Sequence, residues 1–146
     1  MRIGYACKCV AVPGTRMSTC IAAKVTGEYL KELIGRNLAA LDRIMDYNIA
    51  NDIKLFRISS DLIPFGSSTL NSLDWTGMFA GQLRTLGEKA ANNGIRLSMH
   101  PGQYTVINSP DPEVVNRAVA DLMYHCRVLD AMGCIFRPRC ATCTAI

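Results

Sequence analysis

Three times in succession the chain sets a short apolar run ahead of a longer stretch whose apolar residues recur at helical spacing. The runs are Arg2 to Cys7, Lys54 to Ser59 and Ile95 to Met99; the helical stretches are Gly27 to Ala50, about Asp74 to Asn92, and Asp111 to Met132. Strands separated by helices of this length call for parallel neighbours joined by crossovers, because a tight turn can link only antiparallel ones. The expected class is α/β. Three to four βα units make about half of a (β/α)8 barrel, which closes at roughly 250 residues, so the order of elements predicts a partial TIM barrel.

The helices carry their own boundaries. In the first, Leu30, Ile34, Leu38, Leu41 and Met45 form one stripe, widened by Leu33 and Ile44, with Thr26 as N-cap and Asn51-Asp52 as stop. The second uses Phe79, Leu83 and Leu86 and ends at Asn92-Asn93-Gly94, residues that tolerate a left-handed turn. In the third, Val115, Val119, Leu122, Cys126 and Leu129 are the predicted buried stripe. Ser109 or Asp111 can cap it, Pro112 suits its first turn, and Gly133 suits its end. Trp75 reads as a packing anchor. The loop from Ser60 to Asp74 is long for a compact domain, which marks it as functional or mobile.

Bulk properties narrow the function classes. With 146 residues and 49% hydrophobic content the chain suits one ordinary domain and not a disordered segment. We assign residues 1–133 to the barrel unit and 134–146 to a divergent Cys/Arg tail, although Cys134 to Arg137 also reads as the start of a fourth strand. The net charge of +4 permits an anionic partner without arguing for one. Charged or amide residues interrupt every apolar stretch before the ~18–20 residues of a membrane span. The first residues lack a secretory pattern, so a cytoplasmic location is expected. Seven cysteines, an odd number, read as reduced thiols. Cys140 and Cys143 form a CxxC without the second pair that a zinc site needs. Walker, GxGxxG, HExxH and GxSxG motifs are absent.

The chemistry concentrates at the end of the third strand, in Leu97-Ser98-Met99-His100-Pro101-Gly102-Gln103-Tyr104. In parallel architectures ligands gather at the carboxyl ends of strands. His100 stands there as a metal ligand or acid-base group, or as a residue tying down the Pro-Gly turn. Gln103 supplies an amide that reads donors and acceptors, and Tyr104 a ring on which a base can stack; both could equally be loop residues filling space. Tyr5 ends the first strand, and Arg57, Ser59, Ser60 and Asp61 end the second. Asp61 is a loop cap or a partner for a ligating histidine. His125, with Asp121 one turn before it, reads as a surface or boundary histidine, and Asp111 and Glu113 suit a helix start.

Taken together, several ordered blocks resemble the UV damage endonuclease family (UvdE-type), DNA repair enzymes with a TIM barrel related to endonuclease IV. The blocks are Ile3-Gly4-Tyr5, Asn37-Leu38, the run from Phe56 to Phe65 (Phe-Arg-Ile-Ser-Ser-Asp-Leu-Ile-Pro-Phe), the run from Leu97 to Tyr104, and Asn108-Ser109-Pro110-Asp111-Pro112-Glu113-Val114-Val115. The resemblance implies a metal-dependent endonuclease that nicks the backbone of double-stranded DNA beside UV photoproducts, with divalent ions, Mn2+ among them, in the barrel mouth. It further implies that His100 is a metal ligand, that Gln103 and Tyr104 wedge into DNA at the lesion, and that Tyr5 belongs to the lesion pocket.

The sequence departs from the family pattern in places. Ser68 stands where the family carries a histidine ligand, and Cys9 where it carries an asparagine. Residues from Cys134 to Cys140 match nothing expected of the family, as in a truncated or frame-shifted copy. Such a copy would self-associate or take a complementing barrel half. Two other readings stand beside this one: another metal-dependent barrel of the sugar isomerase or epimerase kind, and a non-catalytic DNA-binding fragment.

Overall fold

The structure, a computed structural model, describes residues 3–134. Its elements are β1 (Gly4–Ala6), α1 (Gly27–Ala50), β2 (Leu55–Ser59), α2 (Trp75–Met78), α3 (Ala80–Asn92), β3 (Arg96–His100) and α4 (Pro112–Ala131), with short 3-10 turns at Ala22–Lys24 and Ser60–Leu62. The strands form one parallel sheet in the order β1-β2-β3. The expected α/β class and parallel sheet are therefore present. The fourth strand considered over Cys134 to Arg137 lies, apart from Cys134, outside the described residues, as does the Cys140 and Cys143 pair.

Alternation along the strands splits the sheet into two unlike faces. Phe56 and Ile58 of β2 and Leu97 and Met99 of β3 point to one side and are buried. They join residues of α1, α3 and α4 in a single core cluster, so all three long helices cover the same face. The other side carries Arg57, Arg96, Ser98 and His100, none of them buried. Parallel sheets ordinarily have both faces covered; here the second face is polar and partly open.

Each helix obeys a local rule. Thr26 caps α1 by accepting the Tyr29 N–H at 3.2 Å, and the predicted stripe of Leu30, Ile34, Leu38, Leu41 and Met45 is buried. Lys89 of α3 reaches across to Asp42 and Asp46 of α1, at 2.5 and 2.7 Å. Asp111, one of the two expected caps, accepts the Glu113 N–H at 2.9 Å to start α4, with Pro112 in the first turn.

Three expectations are corrected. The helix expected from Asp74 to Asn92 is broken at Phe79, whose φ of −113° and ψ of 16° part α2 from α3; burying the Phe79 ring turns the chain there. Helix α4 buries only part of the expected stripe. Leu129 is buried and Val115 and Leu122 are half-buried, but Val119 is 48% exposed and Cys126 is exposed, and Ala118, Tyr124, His125 and Val128 take their place in the buried face. His125 is thus a core histidine, only 2% exposed. Finally, the loop after β2 is anchored at its start, because Leu62 and Ile63 insert into the core.

Candidate functional site

Strand register puts the candidate residues at one end of the sheet. Ser59 pairs with His100, Arg57 with Ser98, and Ala6 with Arg57. His100 is the last residue of β3, on the polar face and exposed, and its imidazole makes no hydrogen bond to another described residue. An imidazole that is not committed to the protein has both nitrogens free for a ligand. Beside it Ser59 is nearly buried; its hydroxyl accepts the Asp61 N–H at 3.3 Å and lies 3.2 Å from Asp61 Oδ2, to which it donates. Asp61 therefore belongs to the turn that leaves β2, where Ser59 is the capping residue and Asp61 its partner.

The chain leaves β1 abruptly. Cys7 adopts a φ of 62°, with its N–H on the Arg57 carbonyl at 2.8 Å and the following Lys8 N–H on Ala6 at 2.7 Å. A positive φ at a non-glycine residue is uncommon and is held here by those two bonds. The turn opens a cleft of about 770 Å³ lined by residues of the Cys7 to Thr19 loop together with Ser59 and Asp61. Burial, aided by the Asp61 carboxylate, pushes the Cys7 thiol pKa up, which keeps it protonated and a weak nucleophile. Cys9 is buried, and its carbonyl takes the Thr15 hydroxyl at 2.6 Å.

Asn37 is the residue that sequence reasoning missed as part of the site. It is 1% exposed. Its side chain accepts the Ser18 N–H at 2.9 Å and donates to the carbonyls of Ser18 at 2.9 Å and Asp61 at 2.8 Å. Both walls of the cleft hang on this one amide. A polar residue within the apolar stripe of α1 was the available signal, since a buried amide must find partners.

Gln103 and Tyr104 follow His100 in the loop between β3 and α4. Both are exposed, Tyr104 to 82%. The ring stands free to meet a flat partner, flanked by the exposed apolar Val106 and Ile107. His100, Gln103 and Tyr104 are thus close along one strand-to-loop segment, although none of them lines the 770 Å³ cleft. Tyr5 is not brought to them. It points into the helix layer, where its ring meets Phe56 edge-on at 5.1 Å and its hydroxyl donates to Asn48 Oδ1 at 2.8 Å. Burial, followed by a hydrogen bond with the Cys9 thiol, pushes its pKa up, so the phenol stays neutral. Ser68 accepts the Leu70 N–H at 3.2 Å and is occupied in its own turn.

Among the described residues no three His, Cys, Asp or Glu side chains gather where they could hold one metal ion. No helix among them is long and apolar enough to cross a membrane.

Comparison with known proteins places these features in context. A family model described as UV-endonuclease UvdE matches residues 1–144. The UV DNA damage endonuclease of Clostridium perfringens (strain 13 / Type A) is 40% identical over 132 residues, covering 90% of this chain and 32% of that protein. The UV DNA damage endonuclease of Bacillus cereus (strain Q1) is 33% identical over 141 residues, covering 91% of this chain and 44% of that one. A solved structure described as the crystal structure of SacUVDE superimposes with a TM-score of 0.87 at 35% identity, over 91% of this chain and 46% of the other. The chain spans between a third and a half of the length of these relatives.

Proposed function

The chain belongs to the UV-endonuclease UvdE family, and on that premise we propose that it acts in the repair of UV-damaged DNA, with Gln103 and Tyr104 as a lesion probe and His100 as a metal ligand. The observation that carries the reading is the placement of those three residues. The imidazole ends β3 on the polar sheet face, and the 82% exposed ring of Tyr104 follows four residues later on a short loop. An uncommitted aromatic ring beside an amide suits an unstacked base, whose face takes the ring and whose edge takes the amide. Tyr5 enters this reading only from the side, as the half-buried residue that packs β1 against the helices.

The described residues do not fit a complete metal centre, since they bring no three ligating side chains together. A divalent ion, Mn2+ in this reading, would take His100 as one ligand and needs others from beyond the described residues. The residues described are assigned to binding and lesion reading. Backbone nicking is assigned to a protein in which that ligand set is complete.

The one-sided helix layer supports a segment of a (β/α)8 barrel, because a doubly wound sheet carries helices on both faces. In such a barrel the polar face of Arg57, Ser98 and His100 turns inward. Among the described residues β1 and β3 each have a single strand neighbour, which supports pairing with a second copy or with a complementing barrel half.

The test is binding and nicking of UV-irradiated and unirradiated duplexes of the same sequence, with and without Mn2+. The expected result is preferential, salt-sensitive binding to the irradiated duplex, with any Mn2+-dependent nicks confined to photoproduct sites. Equal affinity for the two duplexes, with no lesion-linked nicking, overturns the reading.

A further inference from the structure

Among the described residues Tyr104 is 82% exposed, so its position in space is decided chiefly by the backbone that carries it. That backbone makes only local hydrogen bonds next to the ring: Thr105 N–H to the Gly102 carbonyl and Val106 N–H to the Tyr104 carbonyl, both at 3.0 Å. The attachment to the rest of the fold is a side-chain bond. The Thr105 hydroxyl donates to Asp121 Oδ2, on α4, at 2.6 Å.

This bond has the length of a charge-assisted O–H to carboxylate contact, a class about twice as strong as neutral pairs. Its surroundings strengthen it further. The Asp121 side chain is 23% exposed, so water competes only weakly for the carboxylate. His125, one turn further along α4, brings Nδ1 to 3.9 Å from the same oxygen, beyond hydrogen-bond reach, and among the described residues neither of its ring nitrogens has a hydrogen-bond partner. Thr105 is therefore the hydrogen-bond partner of that oxygen among the described residues. Because Thr105 directly follows Tyr104, the bond fixes where the ring leaves the surface and which way the preceding Gln103 faces.

We infer that Thr105 and Asp121 are positioning residues: they latch the loop after β3 to α4 and hold Gln103 and Tyr104 ready for an unstacked base. The inference rests on the reading of those two residues as a lesion probe. Neither positioning residue needs to touch DNA. Without the latch the loop samples many orientations, and ordering it falls on the binding step.

The experiment uses the full 146-residue chain and the variants Thr105→Val, Thr105→Ser and Asp121→Ala. Two readouts are taken: deuterium uptake of the peptide covering residues 101–110, and the ratio of affinities for UV-irradiated and unirradiated duplex. Thr105→Val and Asp121→Ala are expected to speed uptake in that peptide alone and to lower the ratio roughly tenfold or more, as loss of one charge-assisted hydrogen bond implies. Thr105→Ser, which keeps the hydroxyl, restores both. Asp121→Ala approaches the bond from the helix side, so a folding defect in one variant leaves the other informative. Unchanged uptake in Thr105→Val overturns the latch. Faster uptake with an undiminished ratio overturns the positioning role. A parent chain with no preference for irradiated DNA overturns the lesion-probe reading and the positioning role with it, while the uptake readout still decides whether the latch exists.

Discussion

The side-chain amide of Asn37 and the backbone of Ser18 hold each other from both ends, N–H to Oδ1 and Nδ2 to carbonyl, each at 2.9 Å. The same Nδ2 reaches the Asp61 carbonyl at 2.8 Å. One buried side chain of α1 thereby joins the loop after β1 to the turn after β2, and the cleft between them takes its width from that amide.

Asn37→Leu is accordingly expected to destabilise the chain by about 2–4 kcal/mol, because it strands a backbone N–H and the carbonyls of Ser18, Asp61 and Leu62 that folding has taken from water. Urea unfolding checks this through a lower midpoint at similar slope. Faster proteolysis within residues 8–19 should accompany it. A leucine variant within about 0.5 kcal/mol of the parent, a typical surface effect, would show that the cleft walls do not depend on this amide.

Tyr124 makes the corresponding link from α4. Its hydroxyl donates to the Ser60 carbonyl at 2.8 Å and accepts the Ile63 N–H at 3.1 Å, while its ring lies against Gly66, where an added Cβ would stand 2.4 Å from a ring carbon. Tyr124→Phe is expected to cost about 1–3 kcal/mol by leaving both backbone groups unpaired. Gly66→Ala should be costly in the parent and clearly less so in a Tyr124→Ala background, because the ring it strikes is gone and only the Ile63 carbonyl, 3.0 Å from the added Cβ, remains close. Equal cost of Gly66→Ala in the two backgrounds, read in a double-mutant cycle, would place its effect elsewhere.

The same residue shows where the sequence stops being legible. Helix α1 follows from its spacing and its Thr26 cap, because one apolar stripe faces one core. Helix α4 carries apolar residues on more than one face, so spacing alone favours Val119 and Cys126. The buried face instead holds Ala118, Tyr124 and His125, a small residue and two polar ones whose fit depends on partners far away in the chain: Ser60, Ile63 and Trp75 for Tyr124. His100, Gln103 and Tyr104 are legible because a strand end followed by a Pro-Gly turn fixes them locally. Tyr5 is not, since the choice between the two sheet faces depends on its register with Phe56. Asn37 is visible only as a polar residue in an apolar stripe, and its partners come from two loops that no local pattern pairs with it.

His125 predicts an acid-sensitive fold. Burial lowers its pKa below the usual 6.5, against the opposing pull of Asp121. The unfolded chain then binds a proton that the folded chain refuses, so stability falls as the pH drops through about 6.5 toward the lowered folded value, and it is fully present above that window. His125→Phe is expected to flatten the stability profile between about pH 7 and pH 5 relative to the parent. Parallel pH profiles of the two chains in thermal unfolding would assign the acid sensitivity to other groups.

His100 and Tyr104 lie four positions apart and are proposed to do different work, so substitutions should separate them. His100 is exposed and Tyr104 is 82% exposed, so neither alanine variant should shift stability by more than about 0.5 kcal/mol. Mn2+ titrated into the chain is expected to broaden the magnetic resonance signals of residues near the end of β3, and His100→Ala should abolish that localised broadening while the preference for irradiated duplex survives. Tyr104→Ala should do the reverse: the broadening stays, and the preference falls by the equivalent of about 1–3 kcal/mol, the worth of one base stacked on an aromatic ring. The two variants control for each other. If Tyr104→Ala keeps the full preference, the ring does not meet the lesion; if broadening persists in His100→Ala, the ion sits elsewhere and the imidazole at the end of β3 is not its ligand.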